Sequence, residues 1–271
     1  MNKGMVNNFN YIIEKVKGAI FINDPYPHLY IKDFISEEHL GIILKDTQIH
    51  FKEVFTDDEL YNELIKQDYK IQQFPGCANT WITYKKILQD KAYIKNNDLV
   101  ESMGITFRLD YQDIKSDIIK ELVEFMNGDN FHQTLKDKFG LIDETNIISA
   151  IQKNLNRYEI SPHPDKRGKA LTYLLNINKD ESIEFEDVHT HMLEFKKKDD
   201  RLIKSWVENP DKERQWTSWD RCNTVKICSK NNTMLMLAPQ SNPPTLHGVK
   251  LNYDHKKFQR TQIYGNLMYD N

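Results

Sequence analysis

The spacing of apolar residues changes near residue 150, and no other feature of the sequence constrains the fold as strongly. Before that point, apolar residues recur at helical spacing, which predicts helices over 113–126 and 130–139. Another helix is predicted to begin after Ser36, because serine caps helix N-termini. Just before it, residues 25–34 alternate between polar and apolar like a strand.

After residue 150 the apolar segments are short and many alternate with period two, which is typical of strands. Strands are predicted over 155–160, 170–177, 224–229, 233–237, 248–251 and 260–268. Asn231-Asn232 separates two of them and predicts a tight hairpin turn. Many short strands with turn signals indicate a sandwich, a barrel or a jelly roll.

Residues 186–220 are highly charged and contain Trp206, Trp216 and Trp219. A long insertion of this kind predicts a functional lid. We therefore expect a mainly helical N-terminal part, 1–150, packed on a β-rich core, 151–271, that carries this insertion. The two parts are expected to form one compact unit.

The composition indicates which binding partners and which cellular compartment to expect. The 37 basic and 40 acidic residues are interspersed and give a net charge of −3, so no basic stripe favours nucleic acid as a partner. Three cysteines suit neither a disulfide framework nor a structural zinc site. The best apolar stretch near the N-terminus, 11–22, contains charged residues and predicts an amphipathic helix, not a membrane anchor. These features predict a cytoplasmic protein with no membrane contact and no obligate protein partner.

The candidate metal ligands lie in the segment Ser161-Pro162-His163-Pro164-Asp165 and at a distant histidine, His247. Two imidazoles and one carboxylate can occupy one face of an octahedral ion, the arrangement of non-haem Fe(II) oxygenases. The three remaining positions accept a cosubstrate and dioxygen. His163, Asp165 and His247 are therefore predicted as the metal ligands and catalytic residues. Each motif is common by chance, and the prediction rests on their order, spacing and placement beside strands.

Arg260 follows His247 by 13 residues and opens the last predicted strand. An arginine fork binds a carboxylate through two parallel hydrogen bonds, so this residue could anchor 2-oxoglutarate.

With these residues in place, four segments of the chain resemble the Fe(II)/2-oxoglutarate-dependent oxygenases, specifically the prolyl-4-hydroxylase-like branch. The similar segments are 25–44, 155–178, 224–249 and 260–268. The resemblance implies a double-stranded β-helix, or jelly roll, supported by N-terminal helices, and thus an α+β fold. It also implies Fe(II), 2-oxoglutarate and O2 as cofactors and cosubstrates.

The sequence departs from that family at two places. Many members carry Ser or Thr two residues after the arginine, where this chain has Gln262, and others carry a tyrosine where this chain ends a strand with Leu175-Asn176. The resemblance therefore implies Thr172 and Asn176 as further 2-oxoglutarate contacts. Because halogenases of the family lack the metal-binding carboxylate, Asp165 disfavours halogenation.

Cationic and imidazole side chains near the predicted metal site, Arg157, Lys169 and His191 among them, predict a small, carboxylated, amino-acid-like substrate. Hydroxylation or oxidative cyclisation in natural product biosynthesis is the expected reaction. A protein prolyl or side-chain hydroxylase is one alternative, and a non-catalytic jelly-roll binding module is another.

A rival metal site uses His189 and His191 with Glu186 or Asp187, because an H-x-H pair on a strand can chelate an ion. The ordinary interpretation places both histidines on a charged loop. Cys222 and Cys228 are expected to be buried, unreactive thiols.

Overall fold

The computed structural model describes residues 9–90, 101–165, 168–208, 215–240 and 243–270. Within these ranges, six α-helices lie in the N-terminal half and a seventh follows later. They are α1 (Tyr11–Gly18), α2 (Glu37–Ile43), α3 (Asp57–Lys66), α4 (Trp81–Gln89), α5 (Asp117–Asn127), α6 (Asp129–Phe139) and α7 (Asp200–Glu208).

The described strands lie partly before and mostly after residue 140. They are β1 (His28–Ile31), β2 (Lys70–Ile71), β3 (Ser102–Met103), β4 (Thr106–Leu109), β5 (Thr145–Asn154), β6 (Glu159–His163), β7 (Lys169–Asn176), β8 (Thr190–Phe195), β9 (Cys222–Cys228), β10 (Met234–Leu237), β11 (His247–Lys250) and β12 (Arg260–Tyr269).

These strands form two antiparallel sheets. The larger has the order β1-β10-β7-β12-β5-β4-β2, and the smaller has the order β3-β6-β11-β8-β9. From β5 onward, β5, β7, β10 and β12 enter the larger sheet, whereas β6, β8, β9 and β11 enter the smaller one. The predicted combination of helices with a β-rich C-terminal part is confirmed.

The main core lies between the larger sheet and the helices. On β7, Leu171, Tyr173 and Leu175 are buried in the same apolar cluster as Leu122 of α5 and Phe131 of α6. Because side chains alternate across a strand, Thr172 and its neighbours two residues away face the opposite side. That side is the wall of a cavity, and the helices thus hold the sheet on which the cavity is built.

Local signals place several elements correctly. The Ser36 hydroxyl accepts a hydrogen bond from the His39 N–H at 3.3 Å, and α2 begins at the next residue, as predicted. The apolar run predicted over 170–177 forms β7, and the strand predicted over 260–268 forms β12. Within the described residues, no helix is long and apolar enough to cross a membrane.

The predicted hairpin at Asn231-Asn232 is wrong. The chain does turn there, but β9 belongs to the smaller sheet and β10 to the larger, so the turn carries the chain between sheets. Asn232 has a φ of 50°. Its side chain accepts from the Ile35 N–H at 2.8 Å and donates to the Ile35 carbonyl at 2.7 Å. This turn is therefore fixed by contacts far away in sequence.

Two predicted boundaries also differ from the structure. The strand predicted over 155–160 is interrupted, because β5 ends at Asn154 and Arg157 has a φ of 67° in the turn before β6. The segment 186–220 is not one insertion, since β8 runs between β11 and β9 inside it. Its histidines and glutamate conceal the strand pattern. Beyond β8, helix α7 buries Trp206 in an apolar cluster with Leu193, Cys222 and Leu246.

Candidate metal centre

Three side chains predicted as metal ligands lie together in the structure. Among the described residues, His163, Asp165 and His247 form the one group of three or more His, Cys, Asp or Glu side chains whose ligand atoms lie within 4.8 Å of one another. Nε2 of His163 lies 3.6 Å from Oδ1 of Asp165, and Nε2 of His247 lies 3.5 Å from Oδ2. Three potential ligand atoms thus face a common point.

Strand pairing brings the distant histidine to the H-x-D segment. Strands β6 and β11 are antiparallel neighbours, and His163 lies directly opposite His247 in the register. Asp165 follows the end of β6 and has a φ of 65°, a left-handed conformation that Asp adopts more readily than most residues. The chain turns there, and the carboxylate lies beside both imidazoles.

Backbone carbonyls fix the orientation of both imidazole rings. Nδ1 of His163 donates to the Ser161 carbonyl at 2.8 Å, and Nδ1 of His247 donates to the Thr245 carbonyl at 3.0 Å. In the neutral ring this leaves the Nε2 lone pair free, as in protein metal sites whose second ring nitrogen is held by a carbonyl. Burial and the neighbouring His163 lower the pKa of His247 to about 4, so its ring is neutral near pH 7.

The carboxylate of Asp165 is held from both sides. Lys169 Nζ donates to Oδ1 at 2.6 Å, and the Thr172 hydroxyl donates to Oδ2 at 2.7 Å. Burial alone raises the pKa of Asp165, but Lys169 and the histidines more than offset it and hold the pKa well below its usual range. Asp165 is therefore ionised, and each oxygen retains a lone pair for an ion.

A cavity of about 170 Å³ contains these three residues and Arg260 in its wall. Arg260 is 2% exposed, donates one hydrogen bond to Oδ1 of Asn154, and has a buried Nε with no partner. In the described part of the chain, no carboxylate forms an ion pair with it. Burial lowers its pKa to about 10. A buried guanidinium without a counter-charge can pair with an anion through parallel hydrogen bonds.

The two further residues expected at 2-oxoglutarate lie in different places. Thr172 lines the cavity, but its hydroxyl serves Asp165. Asn176 is not among the residues that line the cavity. Its amide nitrogen donates to the Cys228 and Lys230 carbonyls at 3.0 and 3.2 Å, and its oxygen accepts from Gln262 at 2.7 Å. The geometry thus gives no support to Asn176 as a cosubstrate contact.

Of the three predicted substrate residues, only Lys169 lines the cavity. Arg157 lies in the turn between β5 and β6. His191 lies next to the cavity-lining Thr190 on β8, so its side chain points to the opposite face of the sheet. There it contacts Asp187 at 2.6 Å and Thr224 at 2.9 Å. These two positions do not bring the predicted charges to the site.

The rival metal site is not formed. Residues 186–191 are all described, and they contribute to no group of clustered ligand atoms. Nε2 of His189 donates to the Ile183 carbonyl at 2.7 Å, while His191 pairs with Asp187. Cys222 and Cys228 are buried as expected, and burial raises their thiol pKa values to about 11 and about 12.

Sequence reasoning missed most of the polar side chains in the cavity wall. Among them are Gln72, Glu101, Arg108, Gln152, Gln215 and Tyr264. Strand pairing brings several of them together, because Gln152 on β5 lies opposite both Arg108 on β4 and Gln262 on β12. Residues 101–109 fell in the part predicted to be mainly helical, so this signal was hidden.

Comparison with known proteins gives similarity only at the level of structure. No family model matches the chain, and no curated protein matches its sequence. It is similar to a Pseudomonas putida prolyl-4-hydroxylase at 7% identity, covering 97% of this chain and 100% of that one, with a TM-score of 0.46. SnoK, a non-heme alpha-ketoglutarate-dependent carbocyclase from nogalamycin biosynthesis, is similar at 10% identity over 97% and 85%, with a TM-score of 0.46.

A third similar structure is an oxidoreductase of the 2OG-Fe(II) oxygenase family from Burkholderia pseudomallei. It is 10% identical over 100% of this chain and 93% of that one, with a TM-score of 0.41. The solved structures to which this chain is similar thus include a prolyl-4-hydroxylase, an alpha-ketoglutarate-dependent carbocyclase and a member of the 2OG-Fe(II) oxygenase family.

Proposed function

We propose that this protein is an Fe(II)- and 2-oxoglutarate-dependent oxygenase that oxidises a C–H bond of a small molecule. One observation carries the proposal: a buried His-Asp-His cluster and a buried arginine without a counter-charge line the same cavity. The first part suits ferrous iron with open positions. The second part suits the carboxylate of a cosubstrate bound beside it.

The donor set fits a ferrous ion. Two neutral imidazole nitrogens and one carboxylate leave Fe(II) with a net charge near +1. His163 and His247 would hold the metal through Nε2, because their Nδ1 atoms already donate to backbone carbonyls. Asp165 would bind through an oxygen that Lys169 and Thr172 keep oriented and ionised.

The guanidinium of Arg260 suits a carboxylate of the cosubstrate. This guanidinium is preorganised by Asn154, whose own side-chain nitrogen donates to the Thr106 hydroxyl at 2.8 Å and thereby turns its oxygen toward the arginine. The distal carboxylate of 2-oxoglutarate would complete the unpaired side of this guanidinium. When bound, iron and 2-oxoglutarate supply dioxygen activation and the oxidising equivalent for the substrate. The residues of the chain bind, orient and exclude water.

We also propose that strands β5 to β12 form a double-stranded β-helix, and that the helices of the N-terminal part, 1–150, support it within one unit. Successive strands from β5 to β8 alternate between the sheets, and so do the last four, β9 to β12, which supports this description. Helices α5 and α6 pack on the outer face of the larger sheet. Three cysteines without disulfide bonds support a reducing compartment such as the cytoplasm.

The finer proposal for the substrate is a small carboxylated molecule. Among the described residues, the charged side chains that line the cavity are Arg108, Lys169, Arg260, Glu101 and Asp165. Lys169 and Asp165 pair with each other. The remaining charges of the described wall are two arginines and one carboxylate, Glu101. This balance supports an anionic substrate beside the anionic cosubstrate.

Succinate formation tests the proposed activity. The protein is incubated with Fe(II), ascorbate, air and 2-oxoglutarate, with and without a panel of amino acids and N-substituted amino acids. Succinate that requires iron and dioxygen, and that is absent in Asp165→Ala, is the expected result. Mass spectrometry then separates products gaining 16 mass units from products losing 2. A folded protein that forms no succinate with any compound contradicts the proposal.

A further inference from the structure

Arg108 is a second arginine in the cavity wall, and it lies on the same face of the larger sheet as Arg260. On β4, Thr106 lies opposite Asn154, which in turn lies opposite Arg260 on β12. Arg108 is two residues further along β4, so its side chain shares the face of Thr106. Both arginines line the same cavity.

The guanidinium of Arg108 has no polar partner within the described residues. Its Nε is buried and makes no hydrogen bond, and no carboxylate there forms an ion pair with it. Its Cζ lies 5.9 Å from the centroid of the Tyr264 ring. Lys169, by contrast, is neutralised by Asp165 at 2.6 Å. Arg108 is thus a cation presented to the cavity.

Tyr264 connects Arg108 to the metal centre. The Tyr264 hydroxyl accepts a hydrogen bond from Lys169 at 3.1 Å, and Lys169 contacts the carboxylate of Asp165. A single aromatic ring therefore separates Arg108 from the residues around the metal ligands. The side chains of Gln72 and Gln152 also line this part of the wall and add amide donors and acceptors.

We infer that Arg108 binds a carboxylate of the substrate and determines the specificity of this cavity for anionic small molecules. The inference rests on the proposed function, in which Arg260 is already occupied by the cosubstrate. An arginine fork and neighbouring amides recognise a planar carboxylate and its polar substituents, as carried by an N-substituted amino acid. Arg108 would thus hold the molecule in the cavity beside the residues that would bind the metal.

The test uses binding and does not depend on turnover. The protein is loaded with Mn(II) and saturated with 2-oxoglutarate, and N-acetyl-L-amino acids are compared with their uncharged primary amides. Proton relaxation by Mn(II) reports which probes bind close to the metal. We expect the carboxylates to bind at least tenfold more tightly than the amides. Arg108→Gln should abolish this preference, and Arg108→Lys should retain part of it.

Lys70→Gln is the matched control. Lys70 lies opposite Arg108 on β2, but it is exposed, pairs with Asp113 at 2.6 Å and does not line the cavity. This variant should keep the full preference. Thermal unfolding confirms that each variant is folded.

The outcomes separate this inference from the proposed function. If Mn(II) and 2-oxoglutarate do not bind to the wild-type protein, the proposed function fails. If both bind but carboxylate probes bind no better than amides, including no binding of either, the role of Arg108 is refuted. It is also refuted if the preference survives Arg108→Gln, or if that variant weakens 2-oxoglutarate instead of the probes.

Discussion

Replacing Arg260 with methionine should weaken 2-oxoglutarate binding strongly while leaving the stability of the ligand-free protein almost unchanged. Burial lowers the Arg260 pKa from 12.5 to about 10, so keeping the buried charge costs roughly 3 kcal/mol at every pH below 10. Methionine removes that cost but also the hydrogen bond to Asn154, which is worth about 1.5–3 kcal/mol. The ligand-free free energy of unfolding should therefore stay within about 2 kcal/mol of wild type.

The same substitution should strongly weaken the binding of 2-oxoglutarate. Removing one partner of a buried charge pair typically costs about 3–5 kcal/mol, which corresponds to a dissociation constant raised roughly a hundredfold or more. Arg260→Lys should recover only part of the loss, because an ammonium cannot make two parallel hydrogen bonds. Anaerobic calorimetric titration of the Fe(II)-loaded protein with 2-oxoglutarate measures the effect, and urea unfolding measures stability.

Arg221→Met is the control, because Arg221 is half exposed and pairs with Asp199 outside the cavity. Its effect on 2-oxoglutarate binding should be negligible, and its effect on stability should stay below about 1 kcal/mol. An unchanged 2-oxoglutarate titration in Arg260→Met would refute the anchor assignment. Iron affinity should change little in either variant.

Three further perturbations test the surroundings of the site. Asp165→Ala should abolish Fe(II) binding in anaerobic equilibrium dialysis while the fold persists, whereas His191→Ala should bind iron normally; the reverse pattern would contradict the ligand assignment. Thr172→Val removes the hydroxyl that orients the Asp165 carboxylate, and it should lower iron affinity about 10–100-fold. An unchanged iron affinity in dialysis would show that the hydroxyl does not have this role. Lys153 is fully buried, and burial lowers its pKa from 10.5 to about 7. Above pH 7, Lys153 binds more protons in the unfolded chain than in the folded one. The free energy of unfolding should therefore rise by about 2 kcal/mol as the pH increases from 7 to 8.5. Urea unfolding should show a flatter pH dependence in Lys153→Met, and parallel curves would contradict this.

The features predicted well from the sequence are those that local patterns determine. The apolar run at 170–177 is long enough to identify β7, and the Ser36 cap marks the start of α2. The H-x-D pair is separated by one residue, so its two side chains converge through a single turn. His247 was identified by its residue type and by the strand that it begins.

The features that were missed depend on pairing between distant segments. Arg108 enters the cavity wall because β4 pairs with β5 in a register that aligns it with Gln152, and no local pattern encodes that register. Strand β8 was concealed because its histidines and glutamate interrupt an apolar alternation. The turn at Asn232 joins two sheets because its side chain bonds to Ile35, a contact that sequence spacing cannot reveal.

The proposed function requires iron and 2-oxoglutarate to bind together in one cavity. Anaerobic addition of 2-oxoglutarate to the Fe(II)-loaded protein, monitored by visible absorption, measures this joint binding. We predict a weak charge-transfer band that saturates at one equivalent of iron per chain and is lost in His163→Ala and His247→Ala. A folded, iron-loaded protein that shows no band at any 2-oxoglutarate concentration would contradict the claim.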